Sequence, residues 1–209
     1  MTMIELLKSF PNATEDTWHR HLNGGGWVEN TAWVSADAQV SGDALVFGEA
    51  RVFGKARVFG EARVSGNALV FDSAWVSGDA RVSGDAQVSG DAWVSGDAQV
   101  SGKALVSDDA RVSDSALVYG DAWVSGKAQV YGYARVSGKA RVYGDAQVFG
   151  YAQVFGYARV SGEARVFGEA LVFDSARVYG DAQVSGDARV RGLLARLVRD
   201  EDDEDHHRV

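Results

Sequence analysis

Four histidines are the side chains whose ordinary pKa suits proton transfer near neutral pH, and they stand at the two ends of the chain: His19 and His21, then His206 and His207. His19-Arg20-His21 beside Trp18 offers two imidazoles, short of the three or four ligands a zinc ion takes. His206-His207 offers a second pair, equally short. Gly24-Gly25-Gly26 is glycine-rich like a phosphate loop, but no strand precedes it and no Lys-Ser/Thr follows it, so it reads better as a hinge. Serine is abundant, yet no His or Lys recurs beside it, so no nucleophilic triad can be assembled. With no Cys in the chain, a thiol nucleophile, a Cys-ligated metal and a disulfide framework are all excluded. The abundant groups are carboxylates, arginines and aromatic rings. Their meaning depends on the elements that position them.

Those elements are set by a repeat. Alanine recurs every sixth residue from Ala32 to Ala188, and valine in the same step from Val34 to Val190. This makes 27 hexads from Thr31 to Gly192 with no insertion, and Gly25 to Asn30 is a degenerate one before them. Asp79 to Gly84, Asp-Ala-Arg-Val-Ser-Gly, is typical, and its positions are called slots 1 to 6. Slots 2 and 4 share one face of an extended chain, and slots 3 and 5 the other. Slots 6 and 1 are Gly-Asp-like, the chemistry of a bend. A period of six keeps no single face of a helix, and a glycine in every hexad costs a helix about 1 kcal/mol each. Each hexad is therefore a short strand followed by a corner, and such units wind into a solenoid.

An aliphatic residue followed four later by a small one, as in Val34 then Ala38 and Val40 then Ala44, resembles the hexapeptide pattern of left-handed β-helix proteins. The resemblance implies an all-β, single-stranded triangular β-solenoid of about nine coils, three hexads to a coil. A bactofilin-like right-handed solenoid is the alternative, because periodicity does not choose the hand. Nine coils at ~4.8 Å per strand make a rod on the order of 43 Å long. Its core holds only Ala and Val, so function must sit on the outside or at the ends. The family's enzymes are mainly acyltransferases and γ-type carbonic anhydrases, which use histidines near broken coils. Here no histidine and no loop falls within the repeat, so the resemblance transfers no catalytic position and no cofactor. The segment Asn23 to Val28, running into Thr31-Ala32-Trp33-Val34, is similar to the entry of uncharacterised bacterial and phage-encoded hexapeptide proteins.

The division expected is a helical cap over 1–24, the solenoid over 25–192, and a capping helix with an acidic tail over 193–209. Thr2-Met3-Ile4-Glu5 matches a capping box, and Ile4, Leu6, Leu7 and Phe10 offer apolar cover. Pro11 and Asn12 stop that helix, and Thr14 to Leu22 suits a second short one. Leu193, Leu194, Leu197 and Val198 have helical spacing and would lie across the last coil. Asp200 to Asp205 is a solvated acidic run.

If 18 residues make a coil, residues 18 apart stack. Trp75 falls on Trp93, and Tyr131 on Phe149 and Phe167; Phe53 falls on Phe71, and Phe155 on Phe173. These columns would stabilise the sheet at roughly 0.2–1 kcal/mol per pair and also present apolar surface. Asp43, Glu61, Asp79 and Asp97 would line one corner, with Arg63 and Arg81 as partners. A calcium ladder there lacks the carbonyl-bearing loop such sites use. Asp85, Lys103, Asp121 and Lys139 would alternate in sign on another corner. Arg141, Arg159 and Arg177 would stack with no acid between them, as solvated arginines or an anion site.

A net charge of −8 argues against general nucleic-acid or anionic-membrane binding, and no apolar run reaches the ~18 residues of a membrane span. Without a visible secretory signal the location expected is cytoplasmic, or on a virion if the source is a phage. The function expected is a non-enzymatic scaffold that binds a protein partner or itself through the aromatic columns. The alternative is an acyltransferase-like enzyme with its site between subunits of a homotrimer. DNA mimicry ranks lower, because slot-3 arginines interleave with the acids.

Overall fold

Val in slot 4 is β-branched and suits a strand, and the residues at slots 6 and 1 break it two positions later. Each hexad accordingly forms one strand of two or three residues, from β3 (Trp33–Val34) to β29 (Arg189–Arg191). The computed structural model describes residues 1–192. The fold is an all-β parallel β-solenoid of about nine turns with three sheets, triangular in section, and one short helix at its N-terminal end. The expected C-terminal helix over Leu193 to Val198, the acidic run Asp200 to Asp205 and the pair His206-His207 lie outside the described residues.

Each strand pairs in parallel with the strand three hexads on, so residues 18 apart are in register, as in Trp75↔Trp93 and Val76↔Val94. The first sheet continues from Leu45–Val46 to Arg189–Arg191, the second from Trp33–Val34 to Arg177–Val178, and the third from Gln39–Val40 to Gln183–Val184. Two backbone bonds per hexad join the coils, slot 3 donating to slot 2 above and slot 5 to slot 4, and at many corners a third runs from slot 1 to slot 6. In the first coils these are Trp33 N–H to Ala50 at 2.9 Å, Ser35 N–H to Val52 at 2.9 Å and Asp43 N–H to Gly60 at 2.8 Å. The inward alanines and valines form one continuous column with no larger residue, and almost all are fully buried.

The corner decides which residues fit. From Gly42 onward the slot-6 residues hold a positive φ, near 70° for Gly102. A Cβ at Gly102 would meet the backbone N of Gly120 at 2.9 Å. Four hexads carry Asp there instead: Asp72, Asp108, Asp114 and Asp174, with φ of 57–60°. Asp tolerates this conformation better than most residues because its side chain can bond locally. Here the carboxylate accepts from the corner N–H one coil on: Asp72 from Gly90 at 3.2 Å, Asp108 from Gly126 and Asp114 from Gly132 at 3.0 Å each.

The N-terminal cap differs from expectation in three ways. The helix α1 (Met3–Ser9) forms with both halves of its capping box. Met3, Leu6 and Phe10 face inward at helical spacing, whereas Ile4 (74% exposed) and Leu7 point to solvent. Leu6 packs on Trp18, Trp27 and Leu45, so the helix covers the outer face of the first sheet and not the end of the column. Second, no helix spans Thr14 to Leu22. Its first turn closes where Trp18 N–H bonds the Thr14 carbonyl at 2.9 Å. The chain then becomes β1 (Trp18–Arg20), antiparallel to β2 (Trp27–Glu29). Bulky Trp18 and the backbone groups of an otherwise open edge are both satisfied by that pairing. Third, Gly24-Gly25-Gly26 is a packed turn and not a hinge. Gly26 N–H donates to the Val40 carbonyl at 2.8 Å, and a Cβ at Gly26 would meet Val40 Cγ1 at 2.6 Å. Among the described residues no helix is long and apolar enough to cross a membrane.

Two predictions follow from the corner and the cap. Gly102→Ala is expected to lower stability by about 1–3 kcal/mol, from a strained φ and a backbone clash. Gly102→Asp should cost less, because its carboxylate can accept from the Gly120 N–H. Thermal melts of both variants check the order, and equal losses would refute it. At the cap, the Thr2 N–H (2.6 Å) and then the Thr2 hydroxyl (3.2 Å) donate to Glu5, and these bonds hold its carboxyl below the usual carboxylate range. The ionised box is thus fully present above the ordinary Glu pKa and is lost as pH falls through the lowered one. An NMR titration of Thr2→Ala should show Glu5 part of the way back toward its usual value, since the backbone N–H still donates.

Candidate interaction surface

Because strand register is 18 residues, side chains that point outward repeat along each sheet at the coil spacing. The aromatic columns follow directly. Tyr131 stacks on Phe149 with ring centroids 4.9 Å apart and planes 2° apart, and Phe149 on Phe167 at 5.0 Å and 3°. Phe53 stacks on Phe71 at 5.0 Å and Phe155 on Phe173 at 5.3 Å. Trp75 and Trp93 meet edge-on at 5.3 Å and 64°, and the Trp93 indole N–H reaches Ser77 Oγ at 3.3 Å. All nine rings therefore lie where an 18-residue coil puts them.

They do not form one surface. Trp75 and Trp93 occupy slot 3 of the third sheet, and Tyr131, Phe149 and Phe167 occupy slot 5 of that sheet six or more hexads further along. Phe53 and Phe71 belong to the second sheet, Phe155 and Phe173 to the first. The slot-5 rings of these columns are also half-buried, each stacked on a ring one coil away.

The most exposed rings of the rod sit in a slot that sequence reasoning assigned to charge. Tyr133, Tyr151 and Tyr157 fill slot 1, and they are 57%, 61% and 61% exposed. Tyr133 stacks on Tyr151 at 5.0 Å and 4°. The signal was present: these are tyrosines where acids and lysines are the rule, two of them 18 apart. Tyr131 and Tyr133 flank Gly132, and Phe149 and Tyr151 flank Gly150, so both columns line one edge of the prism. With Phe167 they make a five-ring edge between the third and first sheets. The Arg165 guanidinium lies 5.5 Å from the Phe149 ring centroid and 6.0 Å from that of Phe167, a polar border to this edge.

The charged columns stack as register requires but do not pair as expected. Asp43 takes the amino group of Met1, and Asp174 takes Arg191 Nε at 2.7 Å. These are the ion pairs among the described residues. Glu61 with Arg63 and Asp79 with Arg81 are not among them, nor are Asp85 with Lys103 or Asp121 with Lys139. Asp85 instead accepts from the Asn67 amide at 2.9 Å. At an exposed corner, hydration and side-chain entropy offset most of the gain from such a pair. Among the described residues no three His, Asp or Glu side chains converge on a metal position, the column from Asp43 to Asp97 included. His21 is buried with Nε2 3.0 Å from the Ala38 carbonyl, and His19 Nδ1 lies 2.7 Å from Asn30 Oδ1. Both histidines of the cap are thus engaged in holding it to the first coils.

Six segments of the chain match the family described as YdcK Beta solenoid repeat: residues 38–54, 62–78, 74–90, 86–102, 104–120 and 128–144. Each begins on a slot-2 alanine and ends on a slot-6 glycine, one residue short of a full coil. No curated protein matches the chain. The likeness to that repeat and the parallel three-sheet architecture agree: this is a repeat β-solenoid, with its outward chemistry written on a uniform backbone.

Proposed function

We propose that the protein is a non-enzymatic scaffold, a rigid rod that makes protein–protein contacts through its aromatic edges. The observation that carries this reading is the edge of Tyr131, Tyr133, Phe149, Tyr151 and Phe167. Five aromatic rings in adjoining columns, with Tyr133 and Tyr151 more than half exposed, are more than the stacking of coils requires. Clustered exposed apolar surface with Tyr and bordering Arg is the composition of a contact patch. Slot-5 stacking and display are compatible, since one ring face meets the next coil while its edge stays open.

A second copy of the chain is the partner this reading takes first, lying side by side as in a homotrimer. A left-handed winding, suggested by the hexapeptide resemblance, and a cytoplasmic or virion location belong to the same proposal. Rods of parallel coils suit lateral association, because columns of one copy can lie along columns of another.

The test is light scattering after size exclusion over a range of concentrations, for the full chain and for Tyr133→Ser/Phe149→Ser/Tyr151→Ser. The unmodified chain is expected to associate, and the triple variant to dissociate at concentrations at least about tenfold higher, a loss of roughly 1.4 kcal/mol or more. A chain that stays monomeric at all concentrations, or a variant with unchanged association, would overturn self-association through this edge. Circular dichroism confirms that the exposed substitutions leave the coils intact.

A further inference from the structure

The second sheet carries a cationic surface on this acidic protein. Over its last three coils the outward residues are Lys139, Arg141 and Tyr143, then Tyr157, Arg159 and Ser161, then Ser175, Arg177 and Tyr179. None of the nine is an acid, in a chain of net charge −8. The arginines are in direct register, Arg141↔Arg159 and Arg159↔Arg177, and all three are exposed. Strand spacing places neighbouring guanidinium stems about 4.8 Å apart, so the ladder spans roughly 10 Å. Its inner end is walled. The Arg141 guanidinium lies 5.2 Å from the Trp123 ring, and Trp123, Ser125, Arg141, Tyr143 and Arg159 enclose a depression of about 210 Å³. Lys139 Nζ sits 5.3 Å from the Tyr157 ring and adds a fourth cation. Of the neighbouring acids, Asp145, Glu163 and Asp181 lie beyond the corner glycines Gly144, Gly162 and Gly180, Asp174 at the preceding corner pairs with Arg191, and Asp121 lies one coil below Lys139. Among the described residues none of the three arginines has an ion-pair partner.

The same chain contains the complementary group. Asp200, Glu201, Asp202, Asp203, Glu204 and Asp205 are six consecutive carboxylates. Gly192 is the corner that leads from the first sheet toward the second, one coil on from the corner at Asp174 that precedes Arg177. Seven residues separate Gly192 from Asp200 and reach up to about 25 Å, more than the length of the ladder. We propose that the arginine ladder is a binding site for a run of carboxylates, and that its occupant is the chain's own segment Asp200 to Asp205. Guanidinium accepts carboxylate oxygens in pairs, so successive arginines can each take one acid of an extended run. The tether keeps the run at an effective concentration in the millimolar range, enough for a contact that would be weak between separate molecules. Docked there, the run shields the ladder from other polyanions. This inference concerns a different face from the aromatic edge and does not depend on self-association.

The test uses the full chain and a fluorescent peptide with the sequence of Asp200 to Asp205. In one variant the six acids are neutralised as D200N, E201Q, D202N, D203N, E204Q and D205N. At low salt that variant is expected to bind the peptide about tenfold or more tightly than the unmodified chain, whose ladder is already occupied. Adding R141Q, R159Q and R177Q to the neutralised chain should abolish binding, and raising ionic strength toward 1 M should weaken it steeply. The arginines are exposed, so the Gln variants should melt as the unmodified chain does. Three results would each overturn the proposal: no peptide binding by the neutralised chain, equal binding by the unmodified and neutralised chains, or binding that survives loss of the three arginines.

Discussion

Coil stacks on coil in this protein through the corner. From Gly42 to Gly192 the slot-6 backbone turns through the left-handed region, and at most of these corners a Cβ would press on the backbone of the corner above. That contact holds the coil step near the strand spacing, the distance at which the backbone bonds from coil to coil form. Everything else is subordinate to the step. The inward column is limited to Ala and Val because three sheets meet at close range. The outward columns bring rings to about 5 Å because successive coils are that far apart.

The four corner aspartates show how the constraint can be met without glycine. Each carries a side chain into a conformation that favours glycine. Three of them, Asp72, Asp108 and Asp114, accept from the corner N–H one coil on, a bond the glycine corners leave unmade. The fourth, Asp174, has its next corner at Gly192 and pairs with Arg191 instead. The N-terminal cap answers a different problem, the open edges of the first coil. β1 pairs with β2, and the turn from Asn23 to Gly26 bonds Val40, so two of the three starting edges are hydrogen-bonded by the cap. The helix adds Leu6 over Trp27 and Leu45 and keeps the outer face of the first sheet dry.

A backbone this uniform separates stability from display. Slots 2, 4 and 6 are nearly invariant along the chain, and slots 1, 3 and 5 vary. Variation there costs little, because a surface side chain that touches nothing special changes stability by a few tenths of a kcal/mol. The aromatic edge between the third and first sheets and the arginine ladder of the second sheet are both written in these free slots. They lie on different faces of one rod, so two contacts can be made without competing for space.

The repeat, the solenoid and its Ala/Val core were contained in the sequence, because a hexad period makes each unit a strand and a corner. Three hexads to a coil, and with them the coil number and the stacking of rings 18 apart, were implied by the hexapeptide resemblance, and the strand register bears them out. Which columns adjoin was decided by the tertiary structure. Tyr133 and Tyr151 join Tyr131 and Phe149 only because a corner glycine folds slot 5 of one sheet against slot 1 of the next, a relation no period expresses. The cap was likewise decided by contact. Thr14 to Leu22 reads as helix by local pattern, but an unpaired strand edge recruits Trp18–Arg20 into the sheet. Of the glycines that read as a hinge, Gly24 and Gly26 are instead the residues small enough to lie on Val40. Local pattern determines structure where every unit makes the same contacts, and long-range contact determines it where the repeat ends.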